Sequence, residues 1–423
     1  MKRLLFVTHR VPYPPDKGER VRAYNELLAL APHFRIVLAA LAHNSADFAA
    51  CEHLENLCEK IMVAPAGGKL GLLRGAFSLL RGRTVTSGFF GSGRLRRAIL
   101  QEQRREPFDL AIGYCSSTLG FLLNLQGCPR VIDLVDVDSG KWADYAASSR
   151  RPVSWLYSRE ADGVRQLEEK ALRTCEKVLL VSEAEVRAMG QDTDKLMAVQ
   201  NGVDVEYFSP REFADPGPPS LVFTGTMDYR PNMAGICWFV ENVWPDLKRD
   251  VPDLLLNVVG RNPLPQVCQL GQYPGVNVVG AVPDVRPYLS FAKVTIAPLL
   301  IARGIQNKIL EAMAMGRAVV ASTPALEGLE VKDGKEVLRA DSPDQWQQAI
   351  VRLLSDGFYR QNLESAARTC VLTKYTWPTR MEPFVALCKG LTGMNNAGTQ
   401  RDITDDKGGF GIRQDIQPKG VGS

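Results

Sequence analysis

Short apolar runs alternate with amphipathic stretches along most of the chain. In the first half the runs Leu4–Thr8, Ile36–Leu41, Lys60–Val63, Leu110–Tyr114, Val131–Val135, Val178–Val181 and Met197–Val199 predict strands. Helical spacing predicts helices over Arg20–Leu30, Asp47–Glu59, Arg94–Arg105, Ser158–Cys175 and Glu183–Met189, the last opened by Ser182 and Glu185 at capping-box spacing. Buried runs separated by helices imply βαβ units and a parallel sheet covered on both faces. From Val203 to Pro219 the chain turns polar and gains four prolines, which reads as a linker.

A second series follows. Strands are predicted at Leu221–Thr224, Leu254–Val259, Val276–Val279, Val294–Ala297 and Ala318–Ala321, with helices at Met233–Val243 and Asn307–Met315. Ser342-Pro343-Asp344-Gln345 opens a further helix with an N-cap, a first-position proline and a third-position Gln. Two more helices are expected over Asn362–Thr373 and Thr379–Gly390. The fold class expected is α/β: two facing, Rossmann-like, doubly wound domains with a ligand cleft between the carboxyl ends of their sheets. The segment 391–423, rich in Gly and Asp, is expected to be a disordered tail.

Length agrees with two domains, since 423 residues exceed one ordinary core. The formal charge of +4 gives no sign of a nucleic-acid partner. All four histidines lie within the first 53 residues, which excludes a His-rich zinc site spanning both halves. The nine cysteines are scattered and form no C-x-x-C, the pattern of reduced cytosolic thiols. The N-terminal apolar run stops after five residues, too short for a leader, and a cytoplasmic protein is expected. The small net charge hides one excess. Residues 68–105 hold nine Lys and Arg against one Glu, and Leu73, Phe77 and Leu80 recur there at helical spacing. An amphipathic basic segment of this kind suits an anionic membrane surface, as well as a solvated face over a core helix.

The densest candidate chemistry is Arg303-Gly304-Ile305-Gln306-Asn307-Lys308-Ile309-Leu310-Glu311. Gly304 permits a sharp turn after a strand, and the following helix start favours an anion. Lys308 and Glu311 share a helix face, placing a cation for a diphosphate one turn from a carboxylate for ribose hydroxyls. The loop from His9 to Arg22 follows the first strand and contains Tyr13, Gly18 and Arg20; His9 suits either a base or a structural hydrogen-bonding role. Asp136 and Asp138 end a strand with Lys141 and Trp142 nearby, and read as acceptor or sugar contacts or as a plain helix cap. No G-x-G-x-x-G follows the first strand, which argues against a nicotinamide enzyme.

These pieces occur in an order that resembles family 4 glycosyltransferases, which have the two-domain GT-B fold. The carrying residues are Gln200-Asn201-Gly202-Val203-Asp204 with Tyr207-Phe208-Ser209-Pro210, Phe223-Thr224-Gly225, Val258-Val259-Gly260, Val278-Val279-Gly280-Ala281-Val282-Pro283-Asp284 and the segment from Arg303 to Gly316. Within that family the chain looks closest to bacterial sugar transferases associated with exopolysaccharide and exosortase (PEP-CTERM) loci. It does so through Thr8-His9-Arg10-Val11-Pro12-Tyr13-Pro14-Pro15, Asp136-Val137-Asp138-Ser139 and Met227-Asp228-Tyr229 with Pro231-Asn232.

The resemblance implies an acceptor-side domain over 1–202, a linker over 203–219, a nucleotide-sugar donor domain over 220–375 and a helix over 376–390 crossing back. It implies donor contacts at Gly18, Gly225, Asp228, Asn232, Gly260, Arg261, Val282, Pro298, Gly304, Ile305, Gln306, Lys308 and Glu311. Acceptor contacts would be His9, Tyr13, Arg20, Lys141 and Trp142, and catalytic roles would fall to Arg303, Lys308, Glu311, Asp136 and Asp138. It further implies retention of anomeric configuration, no metal and no cofactor, the nucleotide-diphosphate sugar being substrate. The acceptor would be a saccharide or lipid-linked, and the protein peripheral on the inner face of the cytoplasmic membrane. The chain departs from the family at two places. Arg303 stands where members carry Glu, and Thr226-Met227-Asp228 stands where Gly-Arg-Leu is usual. The departures leave a nucleotide-sugar epimerase of the same fold, or a non-catalytic binding subunit, as alternatives.

Overall fold

The computed structural model describes residues 1–15, 18–66, 90–190, 193–211, 218–302 and 304–394. Among them are two parallel sheets. The first has seven strands: β1 (Lys2–Thr8), β2 (Phe34–Ala42), β3 (Lys60–Pro65), β4 (Leu110–Tyr114), β5 (Arg130–Val135), β6 (Lys177–Leu180) and β7 (Leu196–Ala198), in the order β3-β2-β1-β4-β5-β6-β7. The second has six: β8 (Ser220–Thr224), β9 (Leu255–Val259), β10 (Val276–Gly280), β11 (Val294–Ala297), β12 (Ala318–Ala321) and β13 (Leu338–Arg339), in the order β10-β9-β8-β11-β12-β13. In both sheets the strand order reverses beside the first strand, so each has a crevice at its carboxyl edge. Strand interiors such as Leu4–Val7 and Val319–Val320 are fully buried, as sheets covered on both faces require.

The helices used below are α1 (Gly18–Leu30), α2 (Gly93–Arg105), α3 (Asp138–Ser148), α4 (Val153–Thr174), α5 (Glu183–Ala188), α6 (Arg230–Asn242), α7 (Asn307–Ala314), α8 (Pro343–Ser355), α9 (Gly357–Lys374) and α10 (Trp377–Leu391). α8 carries the full capping box expected of Ser342 and Gln345. At α5 the box is half made. Ser182 caps the helix, but Glu185 turns its carboxylate to the Val137 amide at 2.7 Å, tying α5 to the turn after β5. The helix expected over Asp47–Glu59 is instead a short α-helix, Ser45–Ala49, followed by a 3-10 turn, Ala50–Leu54. Helix α3 was not anticipated, because Gly140 and a run of small residues weaken its local signal.

The chain crosses between the two sheets twice, side by side. Val203 on the way out donates to the Tyr375 carbonyl at 2.7 Å, and pairs with Thr376 on the way back. Trp377, Met381, Phe384 and Cys388 of α10 then pack into the core of the first domain, with Leu4, Phe6 and Ile112. All nine cysteines are free thiols. No helix among the described residues is long and apolar enough to cross a membrane.

Candidate active site

One wall of the site, on the second domain, is built on the ends of β8, β9 and β11. Gly260 is required there by contact alone. A Cβ at that position would lie 1.6 Å from the Gly225 carbonyl oxygen, so only glycine lets β8 and β9 end so close together. After β11, Pro298 is buried, Leu300 and Ile301 are exposed, and Gly304 turns the backbone with φ of +66°. Gln306 closes that turn by donating to the Gly304 carbonyl at 3.2 Å, and α7 begins at the next residue.

Lys308, one residue into α7, points back over β8. Its ammonium donates to Asn232 Oδ1 at 2.5 Å and lies 4.5 Å from the centre of the Phe223 ring. Asn232 is buried on α6 and oriented by its own Nδ2, which donates to the Thr226 carbonyl at 2.9 Å. A buried neutral amide is thus the hydrogen-bond partner of this ammonium. Burial pushes Lys308 down to about 7 and Glu311 up to about 7, each opposed only by the other's charge acting through space. The pair is poised to change protonation when an anion arrives.

Around it, Ile305 is partly buried against the core of the second domain and Val282 packs there too. Asp228 accepts from Asn262 Nδ2 at 3.0 Å, and the Arg261 carbonyl accepts from the Met227 amide at 2.8 Å; both side chains are exposed. Arg286 grips Asp284 at 2.7 Å and stacks at 3.8 Å over Tyr207, so the linker residue is held beside this wall. Tyr207 also feels the Glu311 charge.

The opposite wall comes from β5 and α3. Val135 has φ of +69°, uncommon for a β-branched residue, at the point where the β5–β6 register shifts. Asp133 holds this kink by accepting from the Val135 amide at 2.7 Å. The kink carries Asp136 and Asp138 to Lys141, at 2.6 and 3.3 Å. The two carboxylates are therefore closed by a shared ammonium rather than left open. Burial raises Asp138 despite Lys141; burial opposes the Lys141 charge, but Asp136 and Asp138 outweigh it and raise Lys141. Among the described residues no group of three His, Cys, Asp or Glu is placed to hold a metal.

A cavity of about 610 Å³ joins the two walls. Asp136, Lys141, Asp144, Tyr145 and Glu185 face Tyr229, Pro231, Ile301 and Gly304 across it. An adjoining cavity runs past Gln200, Ile305 and Gly328. Asp144 and Tyr145 had no signal of their own in the sequence, and recognising α3 as a helix would have placed them; Glu185 showed only as half of a capping box and Tyr229 only as part of the resemblance.

Other expected residues lie elsewhere. His9 is buried at the end of β1, stacked at 5.9 Å on Tyr114 and edge-on to Phe90 at 5.4 Å. Tyr13 stacks on His53 at 4.5 Å. Arg20, expected at the acceptor, is buried and paired with Asp47 at 2.9 Å, and neither Tyr13 nor Arg20 lines the cavities. Trp142 packs with Tyr145 and Tyr157 at ring distances of 6.0 and 5.5 Å. Gly18 opens α1. Arg303, the basic residues from Lys69 to Arg83, and the tail beyond Met394 lie outside the described residues.

Residues 218–356 match the family model described as glycosyl transferases group 1. No curated protein matches the chain. Solved structures that resemble it include sucrose-phosphate synthase from Thermosynechococcus elongatus, with a TM-score of 0.64 at 17% identity over 93% of this chain and 100% of that one. Anabaena HepE in complex with UDP gives 0.59 at 15%, over 92% and 100%. WaaG, a glycosyltransferase involved in lipopolysaccharide biosynthesis, gives 0.59 at 14%, over 92% and 100%. With residues 218–356 matching glycosyl transferases group 1 and both sheets arranged as in the GT-B fold, the protein is a glycosyltransferase.

Proposed function

We propose that the protein transfers a sugar from a nucleotide-diphosphate sugar to a saccharide or lipid-linked acceptor, with retention of configuration and without a metal or cofactor. The role is exopolysaccharide assembly of the exosortase-associated kind, at the inner face of the cytoplasmic membrane. The observation that carries the reading is the Gly304 turn, which lines a cavity shared by both domains and leads directly into the helix that carries the buried Lys308 and Glu311. A diphosphate placed there would meet the α7 amides and Lys308, which takes full charge as the anion approaches. Glu311, one turn on, suits the ribose hydroxyls. UDP in structures of the same fold supports a nucleotide donor.

In this reading Arg303 and Lys308 together stabilise charge growing on the leaving diphosphate, while Asp136, Asp138 and Lys141 face the acceptor. Domain closure would exclude water. The exposed arginines of α2 and the rest of 68–105 would meet an anionic membrane.

A thermal-shift screen of nucleoside diphosphates and their sugars tests donor binding, because a ligand of the native state raises its melting point. Transfer to lipid-linked saccharides follows with the donor found. Arg303→Ala is expected to lose most turnover while keeping its melting point. Donor consumed without acceptor would indicate an epimerase, and binding without turnover a non-catalytic subunit; either overturns the proposal.

A further inference from the structure

The α3–α4 hairpin carries a feature that the sugar-transfer chemistry does not use. Helix α4 has 22 residues and is about 33 Å long, whereas β6, which follows it, has only four residues. From Glu160 onward α4 is buried through Ala161, Val164, Ala171 and Leu172. Its first two turns contribute no buried residue, and there Val153 and Leu156 are 44% and 36% exposed. Trp155 between them is 59% exposed. Single exposed apolar residues need no explanation, but three within four positions at one tip do.

The charges at this tip have one sign. Arg150, Arg151 and Arg159 are all exposed, and the Arg159 guanidinium lies 5.6 Å from the Trp155 ring centre. Of the nearest acids, Glu160 is buried, Asp144 faces the cavity, and Asp162, the one exposed acid of the next turn, is offset by Arg165 at 3.8 Å. An apolar wedge with an indole at its edge and a ring of arginines fits the headgroup region of an anionic bilayer, where tryptophan and arginine can each keep a polar end in water. The other face of the same hairpin lines the cavity through Lys141 and Tyr145.

We infer that the α3–α4 tip, residues 150–159, is a docking surface for an anionic phospholipid bilayer, which it would hold beside the mouth of the cleft. This extends the lipid-linked acceptor reading, but its evidence is the surface itself, and it is separate from the 68–105 segment. The test is co-sedimentation of the full chain with phosphatidylglycerol/phosphatidylcholine vesicles at low salt, with no donor present, so that it stands apart from any failure of sugar transfer. Binding is expected, at least tenfold weaker on pure phosphatidylcholine. The variant Val153→Ser/Trp155→Ser/Leu156→Ser should lose at least tenfold in binding while its melting point stays within a few degrees. Vesicles with brominated chains should quench wild-type tryptophan fluorescence more than that of Trp155→Phe. The inference is overturned if wild type ignores anionic vesicles, if the tip variant binds like wild type, if Trp155→Phe is quenched equally, or if wild type is a dimer that the variant dissolves, since a second copy would then cover the tip.

Discussion

Two helices of this molecule carry a cation and a carboxylate within one turn, and they do opposite things. On α1, Arg22 and Glu26 are separated by four residues; on α7, Lys308 and Glu311 by three. Arg22 is saturated. Its Nε meets Asp133 at 2.6 Å and Glu26 at 3.1 Å, and its Nη1 donates to the Val199 carbonyl and Asn201 Oδ1 at 2.7 and 2.8 Å. Burial by itself would lower that guanidinium, but Asp133 and Glu26 outweigh it and hold the charge above its usual range. Lys308 has one neutral hydrogen-bond partner and a distant carboxylate, and burial brings it down to about 7. Spacing on a helix therefore does not separate scaffold from site; the number of charged partners already in place does.

The widest gap between the two should appear on truncation. Arg22→Met leaves Glu26 and Asp133 buried without their cation and is expected to cost about 3–5 kcal/mol. Chemical denaturation monitoring the first domain checks this; a midpoint shift worth less than about 1 kcal/mol would break the comparison. Lys308→Met removes a charge that folding does not need. It should leave the melting point unchanged or higher, while sugar transfer falls about 10²–10³-fold, the usual loss for one electrostatic donor in a site.

Acidity sharpens the contrast further. The Lys308 cation is present below about 7 and lost above it, and the Glu311 carboxylate is present above about 7 and lost below it. Affinity for the nucleoside diphosphate is therefore expected to peak near pH 7, falling up to tenfold per unit on the alkaline side, with proton uptake on binding visible by calorimetry in two buffers. Lys308→Met should flatten that limb. The smallest effect is expected at the neutral partner. Asn232→Asp gives Lys308 the charged neighbour that Arg22 already has, so the alkaline limb should move to higher pH with a change in binding of less than tenfold. An unmoved limb would mean that Asn232 does not set the charge of Lys308.

The strands were legible because buried parallel strands are short apolar runs, and twelve of the thirteen fall within two residues of their expected ends or closer. β13, at two residues, is too short to show a pattern. The second-domain wall was legible for another reason. Gly304, Lys308 and Glu311 sit in one continuous segment whose turn and helix follow from local rules. The opposite wall was legible only through Asp136, Asp138 and Lys141. It depends on a positive φ at Val135, on Glu185 reaching from another helix, and on α3, whose small residues carry little periodicity. Arg20 misled for a related reason, since its partner Asp47 is 27 positions away and only the packed fold brings them together. Long-range partners decide which charges are left for a ligand, and a linear reading cannot count them.

The paired crossings near Val203 and Tyr375 have a consequence for descent as well as for mechanics. Both ends of the second half leave the first domain at one hydrogen-bonded point. Topologically that half is an insert, with entrance and exit adjacent, placed before the last helix of its host. Such a cassette can be exchanged between lineages or grafted in the laboratory with one junction to repair instead of two distant ones. Arg22, gripping Val199 and Asn201 from inside the host, marks where the graft boundary belongs.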